Sequence, residues 1–262
     1  MADEHSAGTI SKYRHDLTAF AHWLDGRIVS KETAAGWKNY LSHCGYAPRT
    51  INSMLAALNS FFRFMDWNIK VRFLKVQRQI FRDSARALTK EEYDRLLTAA
   101  RESGQERLAL IMETLCATGI RMSELRYITV EAAKAGRATI TLKGKIRTIL
   151  LPAKLYRKLS KYAKKQKIAS GAIFRTKSGK SITRRQVWYE LKRLCKAAGV
   201  EPTKVFPHNL RHLFATTFYR ASRDIVRLAD MLGHSSIDTT CIYLTVSGAE
   251  QQRQLDRLGL VS

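Results

Sequence analysis

The chain has 262 residues, 45% of them hydrophobic, enough to bury a core in one large or two modest domains. Its 46 lysines and arginines against 22 aspartates and glutamates give a net charge of +24, which exceeds what solubility requires and points to a polyanionic partner, nucleic acid first. No apolar run is long enough to span a bilayer, and Met1 to Ser6 lack a signal-peptide pattern, so a cytoplasmic protein, nucleoid-associated if bacterial, is expected rather than a membrane-spanning or secreted one.

In chain order, Ile10, Tyr13, Leu17, Phe20 and Leu24 recur at helical spacing, and Ile51, Leu55, Leu58, Phe62 and Met65 do so after Pro48. A shorter helix is expected between them, over residues 31–43. Residues 1–82 carry 12 basic and 6 acidic side chains, so this helical region is only moderately basic. Arg49, Thr50 and Asn52, at a helix start, are candidates for contact with a DNA backbone. From about Ile69 to Arg86 the amphipathic period is lost, and Thr89 and Glu92 then stand at capping-box spacing. The expected organisation is a helical DNA-binding domain over 1–76, a linker over 77–87 and a second domain over 88–262, with a tail from about residue 247.

The charge is concentrated in the second domain. Between Lys134 and Lys204 there are 21 basic residues and only Glu190 and Glu201 as acids, an imbalance too large for an ordinary solvated face. Within it, Arg137 to Leu142 and Ile146 to Leu151 are β-rich segments joined by Lys143-Gly144-Lys145, a basic hairpin. A short strand is expected near Ala172 to Arg175, followed by a turn at Lys177 to Lys180, with helices elsewhere. The fold class expected is mainly α with a small antiparallel sheet (α+β). Lys145, Arg147, Arg184 and Arg185 are further candidates for DNA contact.

Four cysteines, Cys44, Cys116, Cys195 and Cys241, are scattered without a C-x-x-C pair, which argues against a zinc site or a disulfide framework. Chemistry is better sought in three clusters. Gly119 ends an apolar helix and is followed by Arg121-Met122-Ser123-Glu124-Leu125, expected to begin another helix, where Glu124 can pin the Arg121 guanidinium. Pro207 starts a helix carrying His208, Arg211 and His212 on one side of its first turns, an arrangement favourable to phosphate. The His208/His212 pair lacks the glutamate of a metalloprotease helix, and no metal is expected there. Last, Gly233 and the Ser235-Ser236 pair break one helix and cap the next, which carries Tyr243 near its end, with His234 nine residues before it. A phenol is a poor nucleophile at neutral pH unless cations neutralise the phosphate it attacks and a base takes its proton.

Ala117-Thr118-Gly119-Ile120-Arg121-Met122-Ser123-Glu124-Leu125, His208-Asn209-Leu210-Arg211-His212 and the run from Leu232-Gly233-His234 to Tyr243 resemble the signature boxes of the tyrosine recombinase/integrase family, in its short, two-domain, Xer-like form. The resemblance implies a helical core-binding domain and a catalytic domain that clamp double-stranded DNA, with paired sites brought together by a homotetramer; Leu255, Leu258 and Val261, at helical spacing, make the segment from Ser247 to Ser262 a candidate for docking on a neighbouring protomer, the alternative being a tail that packs on its own domain. It implies attack by Tyr243 to give a 3′-phosphotyrosyl intermediate and, later, a Holliday junction. Arg121 and Arg211 would grip the non-bridging oxygens, His208 would act as base and His234 would hydrogen-bond the phosphate, with Glu124 in support. A hairpin lysine, Lys143 or alternatively Lys145, would protonate the leaving 5′-oxygen. No cofactor is implied, whether metal or nucleotide. The alternatives are a catalytically silent DNA-binding regulator on the same fold and a tyrosine topoisomerase-like enzyme.

Overall fold

The computed structural model describes residues 6–76, 86–142, 145–176, 178–243, 252–253 and 256–258, excepting the side chains at 142 and 145. Its contacts divide the chain into two compact units, Met1–Gln79 and Ile80–Ser262.

In the first unit α1 (Ala7–Leu24) starts where the Ser6 side chain accepts from the Thr9 amide, and α2 (Lys31–His43) starts at a reciprocal Ser30/Thr33 capping box. Helix α3 (Pro48–Phe64) opens on a proline, whose missing N–H would have had no partner in the helix. The apolar stripes converge as their spacing requires, with Phe20, Trp37, Leu41, Ile51, Leu55, Leu58 and Phe62 buried. Ile10, at the head of the first stripe, stays exposed. The extended chain beyond α3 is tied back by two amides. Asn52 donates to the Leu74 carbonyl (2.9 Å) and accepts from its amide (2.8 Å), and Asn59 does the same with Val71 (2.9 Å each way). The match is one of lengths: seven helical residues advance roughly 10 Å, as do three extended ones.

In the second unit α4 (Lys90–Glu102) begins at the Thr89/Glu92 capping box expected from sequence, and α5 (Glu106–Thr118) buries Leu108, Ile111, Met112 and Leu115. A 3-10 helix (Met122–Tyr127) and α6 (Val130–Ala135) lead into the antiparallel pair β1 (Arg137–Leu142) and β2 (Lys145–Leu150), whose register sets Ile140 opposite Arg147. Then come α7 (Ala153–Lys165), α8 (Arg184–Ala198), α9 (Pro207–Ser222), α10 (Ile225–Leu232) and α11 (Ile237–Cys241). Helix α5 packs on α9, and α4 on α8. Arg107 of α5 links α8 to the neighbouring loop, donating to Glu190 (2.5 Å) and to the Arg175 carbonyl (2.9 Å). The fold is mainly α with a small antiparallel sheet.

Two local expectations are corrected. Residues 172–175 make isolated bridges, Thr129 with Ala172 and Arg175 with Ser181, rather than a strand. The run after Gly119 is a tight 3-10 helix, because Glu124 folds back onto the Arg121 amide and fixes the turn. Among the described residues, no helix is long and apolar enough to cross a membrane.

Candidate active site

Arg211 lies on the first turns of α9 and is 3% exposed. Its guanidinium is held by two helix ends, donating to the carbonyl of Gly119 after α5 (2.5 Å) and to that of Leu232 at the end of α10 (2.8 Å). These carbonyls carry the partial negative charge of helix C-termini, which offsets the cost of burying a cation. Both helix stops need glycine. Gly119 (φ 63°) and Gly233 (φ 62°) are left-handed, and an added Cβ would sit 2.3 Å from the Phe214 ring at the first and 2.6 Å from the Arg147 guanidinium at the second. Burial lowers the Arg211 pKa from its usual value, and a hydrogen bond with Tyr243 opposes that shift.

Arg121 forms a second wall. Glu124, 1% exposed, accepts from the Arg121 amide (2.7 Å) and from its Nη1 (3.1 Å). The same carboxylate accepts from Arg147 Nη2 (2.6 Å), while Arg147 Nη1 reaches the Met231 carbonyl (2.7 Å). One buried acid thus holds two arginines, leaving the Arg121 side chain 41% exposed toward the cavity. Burial pushes the Arg147 pKa down, and Glu124 opposes it.

Tyr243 stands in the turn after α11, two residues past its end, with its amide bonded to the Thr240 carbonyl (2.9 Å) and 6% exposure. Its ring is surrounded by imidazoles: His234 stacks at 5.8 Å between centroids with planes 7° apart, His212 lies at 5.3 Å and His208 at 6.0 Å. His208 is exposed and His212 is buried. His234 receives Arg211 Nη2 on Nε2 (2.9 Å) and meets the Thr240 hydroxyl with Nδ1 (2.8 Å). Burial first, then the neighbouring Arg211, Arg121 and Arg147, push its pKa down to about 4, so the ring is neutral at pH 7.

Arg121, His208, Arg211, His234 and Tyr243, drawn from three separate sequence clusters, line one cavity of about 480 Å³. Arg184, at the start of α8, lines it too, and Arg185 is exposed beside it. Arg49 and Thr50 are exposed in the first unit, whereas the Asn52 amide is committed to Leu74 and does not present itself to a phosphate backbone. Arg147 likewise turns inward onto Glu124. Its position was legible, because on β2 it shares a face with buried Ile149 while Ile146 and Leu150 point out. Thr240 is a site residue that sequence reasoning missed, and Arg147, expected on DNA, is held instead by Glu124 and the Met231 carbonyl. Lys143 lies outside the described residues, as do most of those from 247 onward, and Lys145 is described only as the backbone partner of Leu142. Among the described residues no cluster of three or more histidine, cysteine, aspartate or glutamate side chains could hold a metal ion.

A phenol ringed by guanidinium groups and neutral imidazole suits transfer of a phosphoryl group to tyrosine. Residues 86–250 match the phage integrase family, and residues 1–68 match the phage integrase N-terminal SAM-like domain. The chain belongs to the phage integrase family, the tyrosine-type site-specific DNA recombinases. It is 30% identical over 263 residues to the tyrosine recombinase XerA of Thermococcus kodakarensis, covering 98% of this chain and 91% of that protein. Among solved structures, it superposes on the XerH site-specific recombinase bound to a palindromic difH substrate in a post-cleavage complex, with a TM-score of 0.73, 20% identity and coverage of 96% and 79% of the two chains. A lambda integrase tetramer bound to a Holliday junction gives a TM-score of 0.71 at 20% identity, covering 92% and 73%.

Proposed function

We propose that Tyr243 is the nucleophile with which this recombinase breaks a DNA strand. Its hydroxyl oxygen attacks phosphorus, the bond to the 5′-oxygen breaks, and a 3′-phosphotyrosyl link preserves the energy for rejoining to a partner strand through a Holliday junction. His208 takes the phenol proton, Arg121 and Arg211 neutralise the non-bridging oxygens, and His234 hydrogen-bonds one of them. Lys143, with Lys145 as alternate, returns a proton to the departing 5′-oxygen. Neither metal nor nucleotide enters this scheme.

The observation that carries the reading is the convergence of the three sequence clusters on one cavity, with Arg211 fixed by two helix ends. Preorganised donors of this kind act on charge that develops in the transition state and need no reorganisation when it forms. A silent regulator would have no use for a nucleophile docked among them.

The helical domain over 1–76, joined by the linker at 77–87 to the catalytic domain at 88–262, would close around the duplex, with Arg49, Thr50, Arg184 and Arg185 on its phosphates. Two duplexes cut at four strands call for a homotetramer in the synaptic complex. The tail from about 247 would dock in a neighbouring protomer, in an apolar groove of about 480 Å³ in the catalytic unit, lined by Tyr93, Ala117, Leu155, Leu213, Phe214 and Phe218. The setting would be the cytoplasm, on the nucleoid.

The test is a nicked suicide duplex bearing the site recovered by sequencing DNA trapped on the wild-type protein. Wild type accumulates a covalent adduct, and Tyr243→Phe binds without forming one. Undiminished adduct in the Phe variant would overturn the assignment.

A further inference from the structure

Thr240 is wholly buried and touches both halves of the reacting apparatus. Its carbonyl receives the Tyr243 amide and its hydroxyl meets His234 Nδ1. A guanidinium has only hydrogens to offer, so in the Arg211–His234 contact Nε2 must be the acceptor. A neutral ring then carries its proton on Nδ1 and donates it to the Thr240 oxygen. That is the wrong tautomer for a histidine that gives a hydrogen bond to a phosphate oxygen from its cavity-facing nitrogen.

We propose that Thr240 is a positioning residue for strand cleavage, its hydroxyl holding the His234 ring as the Nδ1–H tautomer in the free protein and as the Nε2–H tautomer when a phosphate occupies the cavity. This rests on the reading of the cavity as the phosphodiester site. When a phosphate oxygen accepts the Arg211 Nη2 hydrogen that faced Nε2, the two carbonyl bonds of Arg211 being kept, Nε2 loses its partner and gains an acceptor to bond. The ring keeps its proton count, losing one proton to solvent from Nδ1 and taking one from solvent on Nε2. The change leaves Nδ1 in need of a donor. A hydroxyl supplies it by rotating its hydrogen, with no heavy atom displaced, since it is one donor and two acceptor sites at once.

Other groups at this position would fail in one state or the other. A carbonyl or carboxylate would lock Nδ1–H, and an aliphatic side chain would leave Nδ1 unpartnered beside a fully buried residue. The stacked Tyr243 ring, tied to the Thr240 carbonyl, keeps its distance from His234 through the exchange because only hydrogens move.

The experiment combines nitrogen NMR of the ¹⁵N-histidine-labelled protein with single-turnover adduct formation on the nicked duplex. The free wild type shows His234 protonated at Nδ1, and the non-cleaving Tyr243→Phe protein with bound duplex shows it protonated at Nε2. Thr240→Val, nearly isosteric, loses the Nδ1–H preference and forms adduct about tenfold more slowly at unchanged duplex affinity, as expected for one hydrogen bond, and Thr240→Ser restores both. The same tautomer in both states, or a Thr240→Val protein that cleaves at the wild-type rate, overturns the proposal. If Thr240→Val does not fold, Thr240→Ser decides: wild-type tautomers and rate support the hydroxyl's role, and a valine-like loss of either refutes it. If wild type forms no adduct at all, the reading of the cavity fails, while the free-protein tautomer in the valine variant still shows whether the hydroxyl holds the ring.

Discussion

In the Met1–Gln79 unit the backbone of residues 71–74 is satisfied by amides, Asn52 and Asn59, and the buried Asp16 carboxylate is already paired with Lys12, whereas in the Ile80–Ser262 unit Glu124 and Arg211 are buried, and Arg147 half-buried, as charges around a cavity. An amide pair is neutral and complete once its two hydrogen bonds are made. A buried cation held by carbonyls is still a cation, and its field extends to whatever enters the cavity. The first arrangement holds a chain segment in place; the second stores the means of stabilising an anion.

Removing the acid that binds two arginines should show the difference most strongly. Glu124→Ala leaves Arg121 and Arg147 facing each other without their shared carboxylate, and breaking such a buried pair costs about 3–5 kcal/mol of stability. Adduct formation should fall with it, and urea unfolding should show the loss. An unchanged midpoint would mean that the Glu124 network is not part of what holds this unit together.

Arg211→Lys separates charge from geometry. A lysine keeps the cation but cannot span the Gly119 and Leu232 carbonyls while also offering a fork to phosphate. Single-turnover cleavage should drop about a hundredfold, the equivalent of roughly 3 kcal/mol. Retained rate in the lysine variant would show that charge alone suffices.

Asn59→Ala supplies the contrast. Loss of its paired bonds to Val71 should cost about 1–3 kcal/mol in unfolding free energy, yet leave cleavage unchanged at saturating duplex. A variant that loses cleavage and keeps stability would erase the distinction between the two units.

The parts of this arrangement that were legible in the sequence are the ones coded locally. The Thr89/Glu92 box, the glycine after α5, and the Gly233 and Ser236 boundaries each follow from a few adjacent residues, and each appears where its chemistry placed it. The convergence of Arg121, Arg211 and Tyr243 was readable only because the clusters resemble a family whose site they form. The inward turn of Arg147 was coded by parity along β2, a signal outweighed by the basic character of its surroundings. The Asn52 clamp depends on a partner 22 residues away, and nothing in the spacing of α3 names that partner. The same holds for the 172–175 segment, whose backbone is satisfied by isolated bridges to distant residues instead of a continuous strand.

The smallest expected effect concerns His234, where the field of the arginines should be visible as a proton held off. Its folded pKa of about 4 lies below the roughly 6.5 of an unfolded histidine. Above about pH 6.5 neither state binds the proton, and the stability linked to this group is fully present. Between about pH 6.5 and 4 the unfolded chain takes a proton that the folded ring refuses, so stability falls with pH and the loss is complete only below the folded pKa. The melting temperature of wild type should therefore decline more steeply across that window than that of His234→Gln, with all other titrating groups common to both proteins. Parallel curves would show that the ring is not held neutral by burial and its cationic neighbours, and would remove the electrostatic distinction between a cavity lined by arginines and a helical unit whose extended segment is tied back by amides.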